Sequence, residues 1–252
     1  MNITDTAILT NFYISAARPD NLFETNYLNV RRKERRLYTD EEVMALPEIR
    51  KNHPHYGEWL VRKKSCQRLI HYLAAKKSRL HILEIGCGNG WLSAQLADMP
   101  RSEVIGSDIN WLELQQAARV FSKKSKLKFI YGDIRSGMLQ DLKFDVIVLA
   151  ASMQYFPALH EIMDCALPQL YPGGEIHILD SPFYEPSRIG AAGKRTLAYY
   201  KALGFPEMAA HYHHHCFDEL KPFHYKILSN PLSFRNRFFG KNPFPWVCVK
   251  NE

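Results

Sequence analysis

Three glycines at alternate positions, Gly86, Gly88 and Gly90, stand in LEIGCGNG between an apolar run and a helix-like pattern. Glycine at such a turn supplies unusual backbone angles and lets a ligand approach the main chain. Glu84 precedes the turn, Asp108 ends the next apolar run in EVIGSD, and Asp133 ends a third in KLKFIYGD. A carboxylate only accepts hydrogen bonds, so Asp108 can take both hydroxyl hydrogens of a ribose, and Asp133 can accept from an exocyclic adenine amine. Asp108 by itself suits NAD as well as other nucleosides. The glycine spacing separates them. A dinucleotide turn usually reads GxGxxG and seats a pyrophosphate on a helix N-terminus. Here the spacing is GxGxG, and the Glu84 carboxylate is a poor neighbour for a pyrophosphate but a good partner, directly or through water, for an ammonium group.

These residues need a scaffold that brings strand ends together. LHILEIG (80–86), EVIGSD (103–108), KLKFIYGD (126–133), FDVIVLAA (144–151) and GEIHILDS (174–181) read as strands, with helical patterns between several of them. Alternation at this pace predicts right-handed βαβ crossovers and a parallel sheet covered on both faces. A helix from Trp111 to Ser122 should bury Leu112, Leu114, Ala117, Ala118 and Phe121, and another spans 159–170. PGG at 172–174 reads as the turn into the fifth strand. HYKILSN (224–230) and PWVCVK (245–250) predict a late antiparallel hairpin, and 187–204 a helix. Before the sheet, Thr39 followed by three acids reads as an N-cap. A long helix follows Pro54, with Trp59, Arg62, Cys66, Leu69, Ile70 and Leu73 at helical spacing. The first 30 residues read as irregular, and RRKERR (31–36) as a solvated helix face.

Taken together, the motifs resemble the class I S-adenosylmethionine-dependent methyltransferases. They are ILEIGCGNG (82–90), GSDIN (106–110), GDI (132–134), FDVIVLAASMQYF (144–156) and LYPGGEIHILD (170–180). The resemblance covers roughly residues 80–180. It implies an α/β, Rossmann-like, seven-stranded sheet of order 3-2-1-4-5-7-6 with helices on both faces; because that sheet begins at about Leu80, residues 1–79 read as an added N-terminal helical cap and 80–252 as the cofactor-binding domain. It also implies that Glu84, Gly86, Gly88 and Gly90 line the methionine part of S-adenosylmethionine, that Asp108 holds the ribose, that Asp133 and Ile134 frame the adenine, and that Ala150 approaches the sulfonium. Cys87, Asn89 and Ile109 complete the implied cofactor set. The product is then S-adenosylhomocysteine. The amino-group methyltransferase motif is absent after the fourth strand, where AASMQYF stands instead.

Around this core, the accepting molecule is open. Net charge is +6 over residues 1–80, −4 over 81–180 and +5 over 181–252, so the flanks favour an anionic small molecule, carboxylate or phosphorylated, if they are more than solubilising surface. Arg235 and Arg237 interleaved with Phe234, Phe238 and Phe239 give an RNA-modifying or RNA-binding reading some support. An NAD-dependent oxidoreductase and a cofactor-binding protein without turnover are the other rivals. Tyr155 is the candidate to face the transferred methyl, with Tyr27, Arg31, Tyr38, His55, Tyr56 and Trp59 as a lid. His211, His213, His214 and His215 read first as surface or cap packing, then as pocket lining, and last as metal ligands; no metal is expected. Cys87 and Trp91 read as packing, and Asn89 as a left-handed turn residue or a backbone neighbour of the cofactor. Five cysteines, odd in number and never spaced CxxC, suit a reducing cytosol. No secretory leader or membrane span is expected.

Overall fold

The computed structural model describes residues 11–14, 22–137, 139–233 and 242–251. It begins with β1 (Phe12–Ile14), α1 (Leu22–Lys33), α2 (Asp40–Ala45) and α3 (Tyr56–Ala74). Then come β2 (Leu80–Ile85), α4 (Trp91–Ala97), β3 (Ser102–Asp108), α5 (Trp111–Val120) and β4 (Leu127–Tyr131). They are followed by β5 (Phe144–Ala150), α6 (Leu159–Ala166), β6 (Leu170–Leu179), β7 (Phe183–Tyr184) and α7 (Ile189–Leu203). β8 (His215–Cys216), β9 (Tyr225–Ser229) and β10 (Trp246–Lys250) complete the described chain.

The main sheet has eight strands in the order β1-β4-β3-β2-β5-β6-β10-β9. Strands β1 to β6 run parallel, while β10 is antiparallel to both β6 and β9, as the late hairpin required. The seven-stranded expectation is corrected by β1, which pairs with β4 from a segment read as irregular. Without β1, the β4 edge would show unpaired amides. The Phe129 amide instead donates to the carbonyl of Asn11 at 2.7 Å, and Phe12 packs edge-on against Trp111. A second correction in that region is α1 itself.

Alternate residues of β5 enter different cores. Val146 and Val148 join Trp59, Leu69, Leu96 and Phe129 on one face, whereas Ile147 and Leu149 join Leu83, Ile162 and Met163 on the other. The near-continuous apolar run of this strand follows from cover on both faces. On α3, Trp59, Cys66, Leu69 and Leu73 are buried as their spacing predicts. Thr39 caps α2 in a reciprocal box with Glu42. On α5, however, Leu112 is 50% exposed, while Leu114, Ala117, Ala118 and Phe121 are buried. Pro172–Gly174 does not break the chain into a turn. It lies inside β6, where the register against β5 shifts and Gly173 takes a positive φ. Among the described residues, no helix is long and apolar enough to cross a membrane.

Candidate active site

The carboxyl ends of β2, β3, β4 and β5 converge on a cleft of about 550 Å³. In open parallel sheets this is where ligands sit. Gly86, Gly88, Asp108, Ile109, Asp133, Ile134 and Tyr155 line it. Glu84, Cys87, Asn89, Gly90 and Ala150 do not reach its wall; they stand behind or beside the glycine turn.

The turn is built by packing as well as by conformation. Gly86, Gly88 and Gly90 all have positive φ. A Cβ on Gly86 would lie 2.5 Å from that of Ser152, and one on Gly90 would lie 2.6 Å from the Phe129 ring. Both positions therefore exclude any side chain. Asn89 is not in the left-handed region; the three glycines absorb that geometry, and its side chain accepts from the Trp91 amide. Cys87 and Trp91 are buried, the latter edge-on against Trp59.

Asp108 ties the turn to the second strand. Its Oδ2 accepts from the Gly88 amide and its Oδ1 from the Asn110 amide, each at 2.7 Å. Burial raises its carboxyl above the usual range, against those backbone donors. Asp133 accepts from the Arg135 amide at 2.9 Å and pairs with the Arg135 guanidinium at 2.6 Å, so it also serves as a turn cap. Glu84 is buried beneath the turn and accepts from the Ser93 hydroxyl in the first turn of α4. Desolvation pushes its carboxyl up to about 8.

The segment before the sheet supplies the other wall. Tyr27 and Glu24 of α1 line the cleft. Glu24 Oε1 accepts from the Trp111 amide at 2.7 Å, giving α5 an N-terminal carboxylate from a distant helix. The Arg31 guanidinium lies over the Tyr27 ring at 4.7 Å and donates to the Tyr155 hydroxyl at 3.2 Å. Arg31 is thus part of an internal wall, which corrects the solvated-face reading of the basic run for that residue, while Arg32, Lys33 and Arg35 are exposed as that reading has them. Tyr38 and Trp59 meet through a hydrogen bond of 2.9 Å away from the cleft, and His55 faces the Glu34 carbonyl at 2.6 Å. Tyr38, His55, Tyr56 and Trp59 do not line the cleft.

The histidines diverge. His211 and His213 line the cleft. His214 faces the Thr196 hydroxyl, and buried His215 is held by the Met153 carbonyl and Glu219. Glu113 was not foreseen. It is a half-buried acid beside Gly88, and desolvation pushes its carboxyl up to about 7. Its only signal was its place after the capping Asn110. A second cavity, of about 730 Å³, adjoins the cleft, with Ala151 and Tyr155 lining both. Phe234, Arg235, Arg237, Phe238 and Phe239 lie outside the described residues.

Comparison with known proteins places this geometry. The methyltransferase domain family matches residues 76–215. A malonyl-[acyl-carrier protein] O-methyltransferase of Halalkalibacterium halodurans is 27% identical over 147 residues, 55% of this chain and 54% of that protein. A sterol 24-C-methyltransferase of Gibberella zeae is 29% identical over 125 residues, covering 47% and 32% of the two chains. The chain therefore spans about half, or less, of the length of these curated relatives. Among solved structures, the magnesium protoporphyrin IX methyltransferase of Synechocystis PCC 6803 with bound S-adenosylhomocysteine superposes with a TM-score of 0.56. The match covers 90% of this chain and 94% of that one at 14% identity, a likeness of fold. With the glycine turn, the acid after β3 and a family match over more than half its length, the chain belongs to the class I S-adenosylmethionine-dependent methyltransferase family.

Proposed function

We propose that the chain transfers the methyl group of S-adenosylmethionine to a small molecule. One observation carries the choice of cofactor. The Glu84 carboxyl occupies the first turn of α4 through Ser93, where a pyrophosphate would otherwise bind. A buried acid there calls for a cationic partner, and the ammonium group of this cofactor is one. In this reading Gly86 and Gly88 line the amino-acid end, Glu84 meets the ammonium group through water from behind the turn, and Cys87, Asn89 and Gly90 shape that turn. Asp108 and Ile109 hold the ribose, and Asp133 and Ile134 hold the adenine. Ala150 flanks the sulfur, and Tyr155 faces the acceptor.

The cofactor brings an electrophilic methyl on a good leaving group. When bound, the cofactor would supply that methyl carbon to the acceptor's nucleophilic atom, its sulfur leaving with the electron pair of the carbon–sulfur bond. The protein's part is to align and desolvate the reactants. Tyr155, held by Arg31, positions the acceptor; burial lowers the pKa of His213, which lines the same cleft, so it is placed to take a proton from a hydroxyl acceptor.

Calorimetry tests the cofactor assignment. S-adenosylhomocysteine should bind and NAD should not; equal weak signals from both would count against it. Because burial pushes Glu84 up to about 8, it is protonated at pH 7 and should ionise when the ammonium arrives. Binding at pH 7 should then release a proton, giving different heats in phosphate and Tris. Identical heats would remove Glu84 from the ammonium site.

Residues 1–79 serve in this reading as a cap that orders over the cleft. Hydrogen exchange across 22–60 should slow when S-adenosylhomocysteine is added, most of all in α1, whose Glu24 and Arg31 reach the cleft wall. Equal protection in both states would make the cap a fixed one.

A further inference from the structure

The cavity beyond Tyr155 is organised around charge. Arg31, Glu34 and Arg36 come from the end of α1 and the residues after it, and Glu58 and Arg62 from α3. They form one chain of ion pairs: Arg31–Glu34 at 3.2 Å, Glu34–Arg36 at 3.2 Å, Arg36–Glu58 at 2.5 Å and Glu58–Arg62 at 3.0 Å. Three guanidinium groups thus share two carboxylates, and all five side chains line the cavity. Glu34 also accepts from the Tyr199 hydroxyl. From α7 comes Arg195, which lines the cavity at its exposed mouth without an acidic partner among the described residues.

Asp180 is the remaining acid, so four arginines that line the cavity face three carboxyl groups. Its Oδ1 accepts from the Ser65 hydroxyl at 2.6 Å, and burial raises its carboxyl. The other surfaces are aromatic. The Tyr155 and Tyr212 rings stand at 6.1 Å and the Tyr200 and Tyr212 rings at 6.4 Å, all three residues lining the cavity. At about 730 Å³ the space lies within the usual range for small-molecule sites.

We propose that this cavity is the methyl-acceptor site and that it selects aromatic oxyacids, with Arg195 binding the oxyanion and the tyrosine wall holding the ring. The proposal rests on the cofactor site described above, because Ala151 and Tyr155 are where the two spaces meet. The paired arginines keep the wall positive, yet their forks are committed to carboxylates; Arg195 has its fork free for bidentate binding. Arg195 sits at the mouth, so the oxyanion end stays outermost and the rest of the acceptor points inward to Tyr155. A neutral molecule of the same shape gains only the ring contacts.

The test uses the full chain in calorimetry at low salt. S-adenosylhomocysteine is titrated first. Failure to bind it would overturn the cofactor reading, and with it the acceptor site. To the loaded protein are then added 4-hydroxybenzoate, phenyl phosphate and the neutral 4-hydroxybenzamide. At least one of the two anions should bind about tenfold or more tightly than the amide, and the tighter of them tells carboxylate from phosphate. Arg195→Ala should abolish that preference and Arg195→Lys should keep part of it, both with unchanged affinity for S-adenosylhomocysteine. Normal S-adenosylhomocysteine binding with no preference for either anion would overturn the acceptor proposal alone. A preference that survives Arg195→Ala would overturn the role of Arg195.

Discussion

An Asp108→Ala protein is expected to bind S-adenosylhomocysteine about 2–4 kcal/mol more weakly, roughly 30- to 1,000-fold, with its sheet intact. The size follows from what the carboxylate does. It accepts from the Gly88 and Asn110 amides and so holds the glycine turn against the end of β3. In the proposed complex its remaining lone pairs accept from the ribose, each charge-assisted bond contributing roughly 1.5–3 kcal/mol, partly replaced by water when lost. Asp108→Asn keeps one acceptor oxygen and should lose less. The measurement is calorimetry beside circular dichroism. An unchanged dissociation constant on an unchanged spectrum would end the ribose assignment.

Glu175→Ala is expected to lower stability by about 2–4 kcal/mol, a fall in Tm of roughly 5–15 °C for a chain of this size. Glu175 is 2% exposed at the base of β6. It meets Lys76 at 2.8 Å, Lys250 at 3.2 Å, His177 Nε2 at 3.3 Å and the Tyr72 hydroxyl at 3.1 Å. Together with Cys248 these side chains resemble a metal-holding group. Two features oppose that reading. The Trp246 Nε1–H donates to His177 Nδ1, which leaves the ring proton on Nε2, facing the carboxylate. Two ammonium groups also compete for the same oxygens.

Burial would raise Glu175, yet His177 and Lys76 hold its carboxyl well below the ordinary range. A depressed carboxyl contributes stability above its unfolded value of about 4.3 and loses it as pH falls further. The difference in stability between native protein and Glu175→Ala should therefore be full at neutral pH and shrink below about pH 4. A difference that stayed constant from pH 7 to pH 3 would remove the ionic explanation. The lysines are partly exposed and can turn to water in the variant, which keeps the expected loss below that of a fully enclosed pair.

The two kinds of residue in the cleft differed in how readable they were. Gly86, Gly88 and Asp108 announced themselves because a strand end, a glycine turn and a carboxylate follow one another within a short stretch. The late hairpin was readable from its two apolar runs. The segment α1 was not: its buried side includes Glu24 and the aliphatic Val30, and the helix acquires its reason only from partners far along the chain. Pro172–Gly174 carried a turn signature that pairing between β5 and β6 overrides. The acceptor cavity was the least readable part. Its arginines come from α1, α3 and α7, and no local pattern links Arg31 or Arg62 to Arg195 before the sheet brings those helices together. Ala151 and Asp180 belong to the same class. Both take positive φ just past the ends of β5 and β6, a geometry that glycine adopts most readily.

The Glu24 cap on α5 also bears on how far the binding unit could be transplanted. The family match begins at residue 76, and a piece starting there would keep β2 through β10 and every glycine of the turn. It would lose the carboxylate that receives the Trp111 and Leu112 amides, directly beside Asp108. It would also lose Tyr27 from the cleft and Arg31 from the hydroxyl of Tyr155. The recurrent module in this chain is therefore an incomplete receptor. The part that makes it whole precedes it in the chain, but its seat on α5 exists only once α5 has been made.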